Sequence, residues 1–332
     1  MYDNKDLQEQ YELTVICPQL QTAPPLYTSL ILRQSGKLEG HLWEQLELPF
    51  LSGDGYLLNL CNVAPLLKRD QAVMIHDTAV YAWPKAYSFI FRIWYKMNYM
   101  FTSCLADMLL TVSEFSKSEL IKYVNTIPSK VHVTYPASVF KIDPTSKRNR
   151  EGVGIGGAPY VLAVSSLSPH KNLKAVIKAL HLLPFPDIRL FVVGGKFSQV
   201  FNNPDLESED QQHVNFLGYV TDEQLAELYQ KALCFVYPSY YEGFGLPPLE
   251  AMACGCPVVV SDRASLPEVC GEAALYCDPD KPESISSAIQ KLYLNPDLVH
   301  TLVNRGYEQV CKFSFDSTAS RILQLVLKNV NC

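Results

Sequence analysis

The sequence lacks the features that mark several common classes of protein. Its ten cysteines include no Cys-x-x-Cys pair, which removes the commonest spacing of a zinc site. It has no long basic run and a formal net charge of −6, so nothing in it favours nucleic-acid binding. The first residues are rich in Asp, Lys, Glu and Gln, a composition unlike that of a secretory signal peptide.

What the sequence does contain is typical of a globular protein with two domains. A chain of 332 residues is long enough for two domains of ordinary size. Apolar residues make up 48% of the chain and charged residues 19%, which predicts sizeable cores and not a disordered chain.

The cysteines favour a reducing compartment. Four of them lie in apolar stretches and are interpreted as small core residues. These are Cys17, Cys61, Cys104 and Cys234. Cys254 and Cys256 flank a glycine too closely to form a metal site without further ligands. We therefore expect a cytoplasmic protein with reduced thiols.

Composition divides the chain near its middle. Residues 147–152 are charged and residues 154–157 are rich in glycine, as flexible linkers are. We therefore predict an N-terminal domain over residues 1–146 and a linker over residues 147–157. A second domain over residues 158–312 and a C-terminal segment over residues 313–332 complete the predicted organisation.

Both predicted domains alternate short apolar runs with helical patterns. The strands predicted in the first domain are 13–17, 72–75, 108–112 and 131–134. Those predicted in the second are 160–164, 188–193, 233–237 and 257–261. Thr221 and Gln224 are spaced as a capping box that opens a helix, and residues 316–328 form the last predicted helix. Gly255 is predicted to stop the helix that continues over residues 249–253. Such alternation predicts an α/β fold with parallel, doubly wound sheets.

Residues 239–250 are the most informative stretch of the chain. They carry two carboxylates, Glu242 and Glu250, on either side of a Gly-Phe-Gly sequence, between an apolar strand and a helix that prolines begin. Open α/β sheets bind ligands at this edge, where exposed N–H groups favour oxygen-rich and anionic groups. An ordinary turn with surface glutamates is the alternative, and the glycines and prolines argue against it. The stretch therefore indicates a polyhydroxylated, phosphate-bearing ligand.

Residues 168–171, with the sequence Ser-Pro-His-Lys, form a second candidate site. Ser168 is predicted to cap a helix that Pro169 begins, so that Lys171 lies in its first turn. A cation there is unfavourable because it lies at the positive end of the helix dipole. An anionic ligand that faces both the lysine and the helix end would offset this cost. The alternative is a surface lysine.

His76 and Asp77 follow the strand predicted over residues 72–75, again at a carboxyl edge. A lone histidine is more often a packed or surface residue than a catalytic one, but the position of His76 at this edge keeps both interpretations open. Asp77 is expected to orient the loop. Ser113, between a strand and a helix, is given a structural role.

Several motifs in order resemble the retaining nucleotide-sugar glycosyltransferases of the GT-B superfamily, in family 4. The resemblance lies in residues 241–259, 266–269, 168–172 and 75–77, and it extends from about residue 60 to the C-terminus. It implies two Rossmann-like domains whose parallel sheets face each other across a cleft. The first would be the acceptor side and the second the nucleotide-sugar side, with the last helix crossing back to the first domain.

The resemblance also implies roles for particular residues. Glu242 would bind hydroxyls of the transferred sugar, Glu250 the ribose and Lys171 the diphosphate, while His76 would contact the transferred sugar. His76 and Glu242 are the candidate catalytic residues. The implied donor-binding residues are Ser166, Lys171, Gly195, Val220, Glu242, Gly243, Phe244, Gly245, Leu246 and Glu250.

The implied reaction is a front-face substitution that retains the anomeric configuration, with the leaving phosphate helping to deprotonate the acceptor. We expect no metal and no cofactor beyond the nucleotide-diphosphate sugar itself. The Asp-x-Asp pattern at residues 278–280 lies in a proline-bounded turn on the far flank of the motif region. By analogy the sugar is a hexose such as mannose, moved to a glycan or lipid-linked acceptor in surface-polysaccharide assembly.

Residues 87–112 are rich in aromatic side chains. Arg92 and Lys96 interrupt the stretch, so it is not a membrane-spanning helix. We predict an amphipathic helix packed on the first sheet; the alternative is an interfacial helix that meets a lipid-linked acceptor, which would make the protein peripheral at the membrane.

The N-terminal part departs from the family pattern. The chain has no glycine before Gly36, whereas family members open with a strand and a glycine-rich loop. We expect the first strand, its loop and part of a helix to be missing, through a misassigned start or a shortened protein. The second possibility supports an alternative function, a non-catalytic sugar-nucleotide-binding protein or one half of a two-chain enzyme.

Overall fold

A computed structural model describes residues 11–19, 31–140, 158–165, 168–195 and 213–330. The chain forms two compact units. The first consists of Met1–Val112, Ser116–Tyr135 and Phe315–Cys332, and the second of Ser113–Phe115 and Pro136–Ser314. The predicted linker lies outside the described residues.

All described strands pair in parallel. In the first unit they are β1 (Thr14–Cys17), β2 (Ile31–Gln34), β3 (Leu57–Asn59), β4 (Gln71–Met74), β5 (Met108–Thr111) and β6 (Val131–Val133). In the second they are β7 (Tyr160–Val164), β8 (Arg189–Val193), β9 (Val214–Gly218), β10 (Cys234–Tyr237), β11 (Val258–Ser261) and β12 (Ala274–Cys277).

Helices follow most of these strands. The first five are α1 (Gly40–Leu46), α2 (Leu48–Leu51), α3 (Ala79–Ala82), α4 (Phe89–Leu105) and α5 (Glu114–Val124). The others are α6 (Leu173–His181), α7 (Asp222–Lys231), α8 (Leu246–Ala253), α9 (Leu266–Cys270), α10 (Pro282–Leu294), α11 (Pro296–Val310) and α12 (Phe315–Val330). None of the described helices is both long and apolar enough to cross a membrane.

The first unit is built on a four-stranded sheet of order β3-β4-β5-β6, with β1 and β2 paired separately. Every residue of β4 and β5 is buried, as in a sheet covered on both faces. Val73, Ile75 and Leu109 join Tyr99 of α4 and Leu120 of α5 in one apolar cluster. The core of this unit therefore lies between the sheet and these two helices.

The second unit contains a six-stranded sheet of order β12-β11-β10-β7-β8-β9. The chain adds β8 and β9 on one side of β7, then returns to place β10 on the other side. Ligands bind at the carboxyl edge of such a reversal, because the loops leaving the two central strands diverge there. Both units are thus α/β with parallel sheets, as the sequence predicted.

The predicted strands are confirmed to within about one residue, but four strands were missed. These are β2, β3, β9 and β12. β3, β9 and β12 lie at sheet edges and β2 is exposed throughout. Polar residues interrupt β2 and β9, which therefore lack the continuous apolar run of the buried central strands, whereas β3 and β12 follow short apolar runs that were overlooked.

The interpretation of the cysteines was wrong in part. Cys234 is buried, but Cys61 and Cys104 are exposed and Cys17 is half-buried. The nine described cysteines are all free thiols. An apolar sequence context therefore did not guarantee burial, because Cys104 lies on the outward face of a helix that is apolar on that side.

Helix α8 ends where the sequence predicted, at Gly255. The Gly255 N–H donates to the Met252 carbonyl at 3.0 Å, and the Cys256 N–H donates to the Ala251 carbonyl at 2.8 Å. This pair of bonds is a Schellman motif, which requires a left-handed residue between them. Gly255 supplies it with φ of +73°, and a Cβ there would also meet the Tyr307 hydroxyl.

We expect Gly255→Ala to lower the free energy of unfolding by about 2–4 kcal/mol, because a left-handed alanine costs roughly 1–2 kcal/mol and Tyr307 must also move. Gly218→Ala is the control, since Gly218 has φ of +69° and, among the described residues other than its chain neighbours, no atom lies within 4 Å of the position that its Cβ would take. Urea titration of both variants measures the difference. Equal losses in the two variants would show that the Tyr307 contact is unimportant.

Candidate functional site

The candidate site lies where the order of strands in the second unit reverses. β7 and β10 are neighbours in this sheet, with Val161 opposite Cys234. Their carboxyl ends therefore open side by side, and the loops that follow carry Lys171 and Glu242 respectively. Two residues 71 positions apart in sequence are brought together by this one strand pairing.

The segment before Lys171 folds differently from the sequence prediction. Pro169–Lys171 form a separate 3₁₀ turn, the Ser168 side chain makes no capping bond, and α6 begins only at Leu173. Asn172 lies between them with φ of +58°, which stops the turn from continuing into the helix. Lys171 is therefore not in the first turn of an α-helix, and the argument from the helix dipole was wrong.

Asn172 fixes this turn against two other loops. Its Nδ2 donates to the carbonyl of Pro238 at 3.3 Å and to that of Pro279 at 2.8 Å. The Tyr240 hydroxyl donates to the same Pro279 carbonyl at 3.3 Å. The Asp278–Asp280 turn therefore packs against the candidate site, and its expected position on the far flank was wrong.

Lys171 and Glu242 form an ion pair at the centre of the site. Lys171 Nζ lies 2.7 Å from Glu242 Oε1 and donates to the Tyr237 hydroxyl oxygen, also at 2.7 Å. The two charged side chains are 19% and 12% exposed, so water screens the pair far less than a surface pair. The lysine is thus held in place before any ligand arrives.

Tyr237 ends β10 beneath this ion pair. Burial, together with the negative charge of Glu242, raises the pKa of Tyr237 well above its ordinary value. The phenol therefore stays protonated at neutral pH and serves as a neutral hydrogen-bonding group for Lys171. Its ring also lies under the ammonium, 5.0 Å from Nζ to the ring centroid.

The Gly-Phe-Gly loop turns sharply into α8. Gly245 has φ of +109°, and a Cβ there would come within 2.8 Å of the Leu266 side chain, so this position requires glycine. Leu246 begins the helix, and prolines occupy its first turn as predicted. Two buried serines, Ser113 and Ser265, donate hydrogen bonds to carbonyl groups of the loop.

Glu250 lies one helical turn further on, in a different environment from Glu242. The Tyr229 hydroxyl donates to Glu250 Oε2 at 3.5 Å. Burial raises the pKa of the Glu250 carboxyl, and the bond from Tyr229 opposes this only in part. The two carboxylates of the motif therefore face different partners, a cation for one and a neutral phenol for the other.

The other predicted donor contacts follow strands of the same sheet. Gly195 comes after β8 with φ of +69°, and Val220 comes after β9, directly before the capping box at Thr221 that the sequence predicted. Ser166 lies outside the described residues. The neighbouring Gly194 has φ of +102° and a Cβ there would meet the Ser165 carbonyl at 2.9 Å, so β7 and β8 approach closely at this edge.

His76 belongs to the first unit, where it follows β4. Its Nε2 lies 2.9 Å from the Leu60 carbonyl oxygen, which as an acceptor places the proton on Nε2. Its backbone N–H donates to Asn62 Oδ1 at 2.7 Å. Asp77 Oδ1 accepts from the Ala79 N–H at 2.8 Å, so Asp77 does orient the loop.

The structure therefore brings Lys171, Glu242 and the glycine loop together, and Glu250 follows in helix α8. Sequence reasoning missed Tyr237, Asn172 and Ser265. Tyr237 could have been found as the last residue of the strand before the motif. Ser265 carried no recognisable signal, because its role depends on how α9 packs against the loop.

Comparison with known proteins agrees with this geometry. The profile of the family "Glycosyl transferases group 1" matches residues 145–309. The chain is 34% identical over 228 residues to the O-antigen chain mannosyltransferase B of Escherichia coli, covering 66% of this chain and 60% of that protein. It is 35% identical over 257 residues to the O-antigen chain mannosyltransferase RfbU of Salmonella typhimurium, covering 76% and 68% respectively.

The fold is also that of solved glycosyltransferases. WaaG, a glycosyltransferase involved in lipopolysaccharide biosynthesis, superposes with a TM-score of 0.72 at 17% identity, covering 97% of this chain and 93% of that one. The chain therefore has the GT-B fold. Taken with the identity to RfbU, the matches show that this chain belongs to the family of glycosyl transferases group 1.

Proposed function

We propose that the protein is a retaining glycosyltransferase that moves a hexose from a nucleotide-diphosphate sugar to a glycan or lipid-linked acceptor. Mannose is the first candidate sugar and surface-polysaccharide assembly the first candidate process, because two relatives are named O-antigen chain mannosyltransferases. The observation that carries the proposal is the Lys171–Glu242 pair at the strand reversal, beside the glycine loop.

Lys171 is suited to the diphosphate of the donor. A lysine ammonium has three N–H donors, and two of them serve Glu242 and Tyr237. The third is proposed to bind a phosphate oxygen of the donor. Negative charge grows on that diphosphate as the sugar leaves, so a fixed cation stabilises the transition state more than the ground state. We propose that this replaces a metal ion.

The two glutamates are proposed to hold the two ends of the donor. Glu242 would accept hydrogen bonds from hydroxyls of the transferred sugar, next to the lysine that binds the diphosphate. Glu250, one turn after the start of α8, would accept hydrogen bonds from the ribose hydroxyls. The remaining donor contacts proposed are the loop 243–246, Ser166, Gly195 and Val220.

The reaction proposed is a front-face substitution. The leaving phosphate oxygen accepts the proton of the attacking hydroxyl while the sugar keeps its anomeric configuration, so no protein nucleophile is required. Within the first unit, His76 is proposed to contact the transferred sugar. Its Nε2–H is bound by the Leu60 carbonyl, which leaves Nδ1 as the acceptor on the ring.

We expect Glu242→Gln to lower the transfer rate at least about 100-fold at saturating donor, because a charged acceptor for the sugar and the partner of Lys171 are both lost. The measurement is release of nucleoside diphosphate with a panel of nucleotide sugars and acceptor extracts. Glu283→Gln in α10, an exposed glutamate, is the control and keeps the wild-type rate.

Two outcomes would contradict this expectation. Near-normal transfer by Glu242→Gln with donor saturating would remove Glu242 from the catalytic residues. A wild-type protein that binds a nucleotide sugar but releases no nucleotide with any acceptor would support the non-catalytic alternative instead.

The raised pKa of Glu250 predicts how donor binding depends on pH. Glu250 accepts ribose hydrogen bonds more strongly when it is ionised, and burial makes it take up a proton at higher pH than an ordinary glutamate does. Donor affinity should therefore fall as the pH is lowered through this raised pKa. Glu250→Gln should bind more weakly at neutral pH and lose this part of the pH dependence.

Calorimetric titration with an intact nucleotide sugar between about pH 8 and about pH 5 measures this, since a diphosphodiester has no group that titrates in that range. Glu283→Gln serves again as the control and keeps the wild-type profile. An identical pH profile in Glu250→Gln and the wild type would assign the titration to another group.

Helix α4 supports a second part of the proposal, contact with a membrane surface. Polar Asn98 and Thr102 face the core together with Tyr99. The outward face is apolar along the whole helix: Phe89, Ile90, Ile93, Met97, Met100 and Phe101. Phe89 is 70% exposed and Ile90 is 80% exposed. The helix therefore packs on the sheet, as predicted, but also presents an apolar stripe to solvent.

The charges around this stripe favour anionic lipid as its partner. Lys85, Arg92 and Lys96 lie on or beside α4, and residues 78–106 contain no Asp or Glu in a chain of net charge −6. An apolar helix face flanked by cations is the pattern of an interfacial helix. We propose that α4 rests on an anionic bilayer surface, where a lipid-linked acceptor would be found.

We expect the wild type to float with vesicles that contain phosphatidylglycerol and the Phe89→Ser/Ile90→Ser variant to bind them about 10- to 100-fold more weakly, because two large apolar side chains no longer enter the lipid. Leu182→Ser/Leu294→Ser, which changes two exposed leucines of the second unit, is the matched control. Equal flotation of all three proteins, or none, would contradict membrane contact through α4.

A further inference from the structure

Two buried serine hydroxyls hold three successive carbonyl groups of the glycine loop. Ser265 Oγ lies 2.9 Å from the Glu242 carbonyl oxygen and 2.6 Å from that of Phe244, and shares its hydrogen between them. Ser113 Oγ donates to the Gly243 carbonyl between them at 2.5 Å. Both serines are fully buried. The two side chains therefore fix the orientation of three successive peptide groups of the loop.

The chain segments that follow the two serines are hydrogen-bonded to each other. Ser265 directly precedes α9, and Glu268 in that helix accepts hydrogen bonds from the N–H groups of Glu114 at 2.8 Å and Phe115 at 3.1 Å. Ser113–Phe115 belong to the second unit. Glu268 thus holds the segment that carries Ser113 against the loop.

Because the peptide bond is planar, holding a carbonyl group also fixes the direction of the N–H group that follows it. Every described peptide in the chain is trans, so each C=O and the N–H that follows it point in opposite directions. The N–H groups of Gly243 and Gly245 therefore point away from Ser265, and the N–H group of Phe244 points away from Ser113. Glycine peptides without such restraints rotate freely, so the serines decide this orientation.

We propose that Ser265 and Ser113 are positioning residues that direct these three N–H groups at the diphosphate of the nucleotide sugar. The inference rests on the proposed function, because it concerns the same donor. Neither serine touches the donor; each acts through a carbonyl group of the loop. Loop amides held in a fixed orientation supply N–H donors for an anion, beside the single cation of Lys171.

The test compares Ser265→Ala and Ser113→Ala with Tyr160→Phe. The control removes a similar buried hydroxyl-to-carbonyl bond, from Tyr160 to Leu228 at 2.7 Å, at the amino end of β7, away from the site. We expect the Kd for nucleoside diphosphate to rise about tenfold in Ser265→Ala and less in Ser113→Ala. The Kd of Tyr160→Phe should stay within about twofold of the wild type, even if its Tm falls as far as the Tm of the serine variants.

Steady-state kinetics and a conservative variant separate positioning from a loss of folded protein. A positioning role raises KM for the donor, whereas partial unfolding lowers kcat and leaves KM unchanged. Ser265→Cys retains a weak S–H donor, so its Kd should lie between those of the wild type and Ser265→Ala. An unchanged Kd in both Ser265 variants would overturn the proposal.

Hydrogen exchange of the ligand-free protein tests the inference independently of the donor. Amides of residues 243–245 should exchange faster in Ser265→Ala than in the wild type or Tyr160→Phe, and equal exchange in all three would overturn the positioning role. Failure of the wild type to bind any nucleoside diphosphate, with faster loop exchange in Ser265→Ala, would refute the proposed function while retaining the serines' control of the loop.

Discussion

The site depends on one partly buried ion pair, Lys171 with Glu242. A lysine that is mostly removed from water is costly unless a carboxylate and further hydrogen bonds compensate it, and Glu242 and Tyr237 provide both. The pair also fixes two otherwise flexible side chains, so little conformational entropy is left to lose when a ligand binds. Because the pair is neutral overall, the proposed binding of a diphosphate would depend partly on backbone amides, and hence on the orientation of the glycine loop.

The sheet topology makes this pair available. β7 and β10 are adjacent only because the chain reverses the direction in which it adds strands. Their following loops diverge at the carboxyl edge, and Asn172 then ties the turn after β7 to the loop after β10 through the Pro238 carbonyl. A rigid scaffold below and a few directional bonds above are enough to hold the side chains that chemistry would use.

The two glutamates of the motif show how tertiary surroundings distinguish identical side chains. Glu242 faces a cation, while Glu250 is buried against the neutral Tyr229 hydroxyl, which raises the pKa of the Glu250 carboxyl. In the first unit, tertiary contacts likewise decide which face of α4 is buried. There polar Asn98 and Thr102 face inward because they bond to each other, and Asn98 also bonds to the Ala64 backbone, so the apolar residues are left to face outward.

The sequence by itself determined the fold class, the buried central strands, the capping box at Thr221 and the glycine stop at Gly255. All of these depend on local periodicity or on the backbone preference of one residue. It also marked Lys171, Glu242 and Glu250 as the residues to examine. Strands β2 and β9 escaped it because polar residues interrupt their apolar pattern, and the helix predicted after Ser168 is instead a 3₁₀ turn that the left-handed Asn172 ends. Only the tertiary structure decided that Lys171 pairs with Glu242 and that Ser265 holds the loop, since contacts between residues far apart in sequence are set by strand order and helix packing.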